Sequence, residues 1–274
     1  IPFLSAIYES ETSEGVSPPD ILGFQGQSFM HTDFRLSSSG ESVYLNDPLG
    51  NLVDSITFGA LPSNISYGVS FENDIYVAYQ NPTPGEQNDN FEFSGVLGVP
   101  LTFSHDGGNI SNAIVLEISG DGTEDEIRYT FDYTEPTENS NLYTGPLTID
   151  ETTIVRAKAF KDGYISLHSN TRNYFYDIES SHPIIHLVTD EYNLFDYDYG
   201  IYAYGPPDYE GYPYFGANFW EDWERPVHIS YYVNNELEFS ANAGIKIAGA
   251  YSRGWDQKSL SLFARGEYGV GEFE

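Results

Sequence analysis

Thr152-Thr153-Ile154-Val155-Arg156-Ala157-Lys158-Ala159-Phe160 is the stretch that decides the fold class. Apolar and β-branched residues alternate with polar ones along it, which is the period of a half-buried strand and not of a helix. Ser42-Val43-Tyr44-Leu45, Val53-Asp54-Ser55-Ile56-Thr57-Phe58 and Ile114-Val115-Leu116-Glu117-Ile118 repeat the pattern. The breaks between such runs are Asp47-Pro48-Leu49-Gly50, Asp106-Gly107-Gly108-Asn109, Gly120-Asp121-Gly122 and Lys161-Asp162-Gly163. Each supplies a residue that tolerates positive φ. Turns recur at intervals of roughly 8–12 residues, and no window joins helix caps to a 3.6-residue period. The chain is therefore expected to be mostly β, built from sandwiches of the immunoglobulin-like kind and not from a parallel sheet.

Two junctions divide it. Asn81-Pro82-Thr83-Pro84-Gly85-Glu86-Gln87-Asn88 is polar and doubly prolyl, and cannot continue a strand ladder. A second break falls at Tyr176-Asp177-Ile178-Glu179-Ser180-Ser181-His182-Pro183. The expected blocks are 1–90, 93–178 and 182–274, each near the ~100 residues of an immunoglobulin-like sandwich.

Composition narrows the function. Against 42 acidic side chains stand 11 basic ones, a formal net charge of −31. A polyanion would be repelled, so nucleic acid is excluded as a partner, and anionic membrane surfaces are disfavoured for the same reason. No stretch approaches the roughly 18 consecutive apolar residues of a membrane span, and Ile1 to Gly15 lack the basic start and apolar core of a signal peptide. With 18 Phe, 23 Tyr and 3 Trp the chain can fill packed cores. The absence of cysteine removes thiol nucleophiles, cysteine-type zinc sites and disulfides. An acidic, well-hydrated surface suits salty or calcium-rich surroundings, so an extracellular or cell-surface location in a saline habitat is expected.

Three resemblances follow the three blocks. His31-Thr32-Asp33-Phe34-Arg35-Leu36-Ser37-Ser38-Ser39-Gly40-Glu41, then Leu45 to Ser55, Ser66-Tyr67-Gly68 and Pro82-Thr83-Pro84-Gly85 make the first block similar to the lamin-tail domain. That family's opening strands have no counterpart before Phe29. Ile127-Arg128-Tyr129-Thr130-Phe131-Asp132, Glu135-Pro136-Thr137, Leu142 to Leu147 and Val155 to Phe160 resemble, over 100–176, the chitobiase/hexosaminidase C-terminal type of immunoglobulin-like module. This resemblance implies a non-catalytic spacer or accessory binding role beside carbohydrate-active or surface enzymes. Asn193-Leu194-Phe195-Asp196, Gly200-Ile201-Tyr202, Trp223 to Val227, Asn242 to Ile247 and Ser252-Arg253-Gly254 through Leu260 resemble the start of the CotH-type spore-coat kinase family. It implies a β-rich N-terminal portion of a kinase-like α+β domain, with the metal-binding aspartates further downstream than Glu274.

Several constellations could carry chemistry. The glycine loop Gly249-Ala250-Tyr251-Ser252-Arg253-Gly254 lies between two strand-like runs, Ile245 to Ile247 and Ser259 to Phe263. Glycine admits backbone N–H groups close to a phosphate, and Arg253 and Lys258 would add charge, so Gly249, Arg253, Gly254 and Lys258 are candidate contacts for ATP with magnesium in an intact parent protein. It is not a Walker A loop, because Trp255 stands where the lysine must be. A plain hairpin turn uses glycine equally well. Asp190, Glu191, Asp196, Asp198 and Asp208 crowd a tyrosine-rich stretch; Asp196 and Asp198 are candidate calcium ligands, without EF-hand spacing, and a solvated acidic face is the alternative. The rings of Tyr192, Tyr197, Tyr199, Tyr202, Tyr204, Tyr209, Tyr212, Tyr214, Phe215, Phe219, Trp220 and Trp223 can stack on sugars or pack on one another. His182 and His186 fall on a strand, where four residues span about 13 Å, so they are not a metal pair. No Gly-x-Ser-x-Gly occurs, and no catalytic residue is assigned.

Two functions are thus expected as rivals. One is the non-catalytic front of a modular exported protein whose partners are cell-surface or matrix components, carbohydrate or other protein copies. The other is part of a CotH-like atypical kinase with half a nucleotide site.

Overall fold

The computed structural model describes residues 36–273, apart from 38–39, 60, 63–64, 71, 73, 84–87, 89–90, 168, 179, 207–210 and 270. His31 to Arg35 and Pro84-Gly85 of the lamin-tail resemblance, and Asp208 and Tyr209 of the acidic aromatic stretch, lie outside the described residues. The chain is mostly β, and its sheets pack as sandwiches. It forms two compact units, one reaching Val96 and including Gly163–Ile165, the other comprising Leu97–Asp162 and Ser166 onward.

The first unit contains β1 (Glu41–Asn46), β2 (Leu52–Phe58), β3 (Ser66–Val69), β4 (Tyr76–Tyr79) and β5 (Glu92–Phe93). β1 and β2 form an antiparallel hairpin. Asp47 closes its turn: the carboxylate accepts from the Asn51 side chain (2.8 Å) and from the backbone N–H groups of Asn51 (2.8 Å) and Leu49 (2.9 Å). Those bonds, the Asn51 amide first, hold the Asp47 carboxyl below its usual pKa. β3, β4 and β5 make a second sheet around buried Val77, Ala78 and Tyr79. The Tyr79 hydroxyl donates to the Val69 carbonyl at 3.0 Å.

The division between units falls within β6 (Gly95–Leu97) and, later, β15 (Tyr164–Ser166). The second unit opens with β7 (Thr102–Phe103), β8 (Gly108–Ile110), β9 (Ile114–Leu116), β10 (Ile118–Ser119), β11 (Glu126–Thr130), β12 (Asn141–Leu142), β13 (Leu147–Ile149), β14 (Thr153–Phe160) and β16 (Asn170–Tyr176). Five of these form one sheet in the order β12-β11-β14-β16-β8, antiparallel except for the β16–β8 pair. β7–β10 and β9–β13 form two short antiparallel pairs. Alternation does what the decisive stretch requires. Val155, Ala157 and Ala159 of β14 are buried with Ile127, Tyr174, Leu116, Ile118, Ile149 and Phe103. The run Ile114 to Ile118, read as one strand, is two: Glu117 exchanges backbone and side-chain hydrogen bonds with Ser104, and the chain changes partner there.

A further sheet in the same unit runs β17-β18-β19-β20, from β17 (Ile184–Val188), β18 (Arg225–Val233), β19 (Glu236–Ala248) and β20 (Ser259–Phe263). The short helix α1 (Glu191–Phe195) follows β17. Val227 and Ile229 of β18 and Ile245 and Ile247 of β19 pack with Ile201 and Phe219 into an apolar core. His228, Ser230 and Tyr232 point the other way, onto β16. There Asn173 Nδ2 donates to Ser230 Oγ (2.9 Å), the Tyr232 hydroxyl donates to Asn173 O (3.4 Å), and Asn242 Nδ2 donates to Ser169 O (3.3 Å). The Phe175 ring meets His186 and Tyr232 edge-on at 5.6 and 5.1 Å. Among the described residues no helix is long and apolar enough to cross a membrane.

Candidate functional site

The loop between β19 and β20 begins at Gly249, at φ +103°, and tightens into a 3-10 turn over Tyr251–Gly254. Gly254 is buried, and a Cβ there would lie 2.9 Å from the Tyr212 ring and 3.0 Å from Pro213 O. Close packing, as much as any ligand, therefore explains that glycine. The two cations turn inward. Arg253 Nε donates to Gly249 O (2.8 Å), and Nη1 donates to Trp220 O (3.3 Å) and Phe219 O (3.4 Å). Lys258 stands immediately before β20, and its Nζ donates to Arg253 O and Trp255 O, both at 2.8 Å. The ammonium also sits 3.9 Å from the centre of the Phe219 ring. Burial lowers its pKa. Gly249, Arg253, Gly254 and Lys258 are thus brought together, with the positive side chains already bonded to backbone carbonyls.

The acidic candidates close turns. Asp190 caps α1 by accepting from the Tyr192 N–H (2.9 Å). Asp196 Oδ1 accepts from the N–H groups of Asp198 (3.0 Å) and Tyr199 (2.9 Å). Among the described residues no group of three or more His, Asp or Glu side chains forms a metal-sized cluster.

The aromatic stretch divides by exposure. Tyr202, Tyr214, Trp220 and Trp223 pack against the apolar core around Phe219. Tyr192 and Tyr199 stack on each other at 4.7 Å, and the Arg225 guanidinium lies 3.5 Å from the centre of the Tyr199 ring. Tyr197, Tyr204, Tyr212 and Phe215 are exposed. Phe215 is braced by Trp220 at 4.7 Å and by Tyr251 at 5.9 Å.

A cleft of about 360 Å³ opens where the β13–β14 turn and the end of β11 meet β16 and β17. Phe131 and Tyr133 stand at it with exposed rings; Asp150, Glu151, Asn173 and His186 are among its polar lining. The Phe131 ring is set edge-on against Tyr129 at 5.1 Å, and the Tyr133 backbone is anchored by Arg156 Nη1 donating to its carbonyl (2.8 Å). Arg156 also pairs with Glu135 and donates to Ser169 Oγ (2.9 Å). The sequence singles out none of these residues as a site: Phe131, Glu135 and Arg156 enter through the chitobiase-type resemblance, and His186 only as a discounted metal ligand. Thr152-Thr153 reads as the start of a strand, and only the strand pairing brings it and the preceding Asp150-Glu151 beside Phe131 and Asn173.

With that geometry in place, comparison with known proteins is informative for this module. Residues 105–171 match the family model of the chitobiase/beta-hexosaminidase C-terminal domain. The match runs from the turn before β8 into β16, so it includes the Phe131, Tyr133 and Asp150–Thr153 walls of the cleft. No curated protein and no solved structure gives a match.

Proposed function

We propose that the chain is the non-catalytic front of a modular exported or cell-surface protein, in which the sandwich modules space, present or attach the protein at a surface or in a matrix. The observation that carries this reading is the state of the two candidate phosphate ligands. Arg253 Nε and Nη1 donate to the carbonyls of Gly249, Phe219 and Trp220, and Lys258 Nζ donates to those of Arg253 and Trp255. Both side chains are already fixed on backbone carbonyls of their own surroundings, so a phosphate would compete with those bonds for the two cations. The chitobiase-type module at 105–171 supports an accessory role. The lamin-tail resemblance of the first block agrees with it.

The rival reading keeps residues 182–274 as the start of a CotH-like kinase. The strand, glycine loop and strand over 236–263 favour it, with Lys258 entering the second strand. Incubation with labelled ATP, magnesium or manganese and a generic protein acceptor separates the two. The expected result is no phosphate incorporation, because phosphoryl transfer needs metal-holding carboxylates that a glycine loop and two cations do not supply. Incorporation that vanishes in Lys258→Ala would establish the kinase reading.

A further inference from the structure

We propose that the cleft between the β13–β14 turn and β17 is a binding site for a neutral saccharide. The inference rests on the attachment reading above and names its ligand. About 360 Å³ falls within the lower part of the range for small-molecule sites, roughly 300–1,000 Å³.

The lining has the mixed character that a sugar ring demands. Phe131 and Tyr133 keep 44% and 45% of their surfaces exposed although both rings stand at a concave site. Exposed rings held by a fixed backbone offer flat apolar faces for the C–H side of a pyranose. Tyr133 is held in a left-handed conformation, φ +59°, by the Arg156 bond to its carbonyl. Asp150 and Glu151 supply carboxylate acceptors for hydroxyl groups on the opposite wall.

The floor is unfinished. Asn173, 1% exposed, spends its Nδ2 on Ser230 and leaves Oδ1 without a partner in the protein. His186 Nδ1 is likewise buried and unpaired. Both atoms are closed to solvent, so they add polarity beneath the cleft, and the exposed Phe131, Tyr133, Asp150 and Glu151 make the contacts with a ligand. Charge decides against acidic glycans. Two carboxylates and no Lys or Arg line the cleft, in a chain of net charge −31.

The test is isothermal titration of the full chain with cellohexaose, maltohexaose, xylohexaose and N-acetylchitohexaose, beside polygalacturonate and a lysine-rich peptide. At least one neutral oligosaccharide is expected to bind with a Kd between about 10 µM and 1 mM. Phe131→Ala and Tyr133→Ala should each weaken that binding about tenfold or more, while the chain stays folded at the titration temperature by thermal unfolding, because nearly half of each residue is exposed. Phe215→Ala and Trp255→Ala, on the other aromatic surface, should bind as the unmodified chain does. The proposal is overturned if no neutral oligosaccharide binds, if only the lysine-rich peptide or polygalacturonate binds, or if the two ring variants bind undiminished. Phosphate transfer is untouched by any of these outcomes, so the parent reading stands or falls separately.

Discussion

His228 is held as one tautomer by its neighbours. Asn242 Nδ2 donates to Ser169 O, which turns Oδ1 toward His228 Nδ1 at 2.8 Å and makes that nitrogen the donor. Nε2 then carries the lone pair, buried and without a partner. Burial, outweighing the Asn242 bond and joined by the charges of Arg156, Arg172 and His186, lowers the pKa to about 4 from 6.5. The sign follows. Below about 6.5 the unfolded chain takes up a proton that the folded chain refuses until about 4, so stability is complete above 6.5 and falls as pH drops through that window. Urea unfolding should show a loss on the order of 2 kcal/mol between pH 7 and pH 5, and a shallower pH dependence in His228→Gln. His186, whose pKa burial also lowers, adds a slope of the same sign. An identical pH dependence in the variant would remove His228 as its source. Sequence reading weighed His182 and His186 and passed over His228. A histidine inside an alternating strand looks solvent-facing until the register shows a second sheet against it.

At the scale of elements, glycines in turns do two separable jobs. Gly107 and Gly122 both adopt left-handed φ, +93° and +85°. A Cβ on Gly122 would meet nothing within 4 Å, whereas one on Gly107 would lie 2.8 Å from Asn173 O and 3.4 Å from the Tyr232 hydroxyl. Gly122→Ala should therefore cost only the conformational penalty, about 1–2 kcal/mol, and Gly107→Ala clearly more in the same urea titration. Equal costs would mean that the β16–β18 seam yields without resistance. Both glycines sit in turns that the sequence marked, because these reversals use positive φ and few residues allow it. The strands β1, β2, β14 and β20 were legible for a similar reason: period-two alternation survives wherever one face is wet or the turn residues are unambiguous. β18 was harder. Val227 and Ile229 face an apolar core while His228 and Ser230 face another sheet, so its polar positions mimic a solvent face although Ser230 is 1% exposed. The glycine loop was placed correctly between strands, but the direction of Arg253 and Lys258 depends on carbonyls of residues up to 34 positions away. No local pattern encodes that. The cleft was invisible for the same reason, its walls coming from four separate segments.

For the whole molecule, charge is the property that acts everywhere at once. A net charge of −31 sets most pairs of surface groups against each other, and the cations are few enough to be engaged locally. Lys246 pairs with Asp222, Arg128 with Glu126 at 2.8 Å, and Arg265 reaches both oxygens of Glu224 at 2.9 and 3.0 Å. The remaining carboxylates repel over a distance set by salt, about 10 Å at 0.1 M and about 30 Å at 0.01 M. Compactness brings them together and unfolding separates them, so repulsion lowers stability most in dilute buffer. Raising sodium chloride from about 0.01 M to 0.15 M should lift the melting temperature by several degrees. Calcium chloride at equal ionic strength separates screening from binding. An equal rise assigns the whole effect to screening, while an extra rise that Asp196→Asn or Asp198→Asn abolishes would place a cation at the turn after α1. Asp196 already accepts two backbone N–H groups on Oδ1, so a cation there would have to use its other oxygen. A melting temperature indifferent to both salts would show that the acidic surface is spaced widely enough for water alone to screen it.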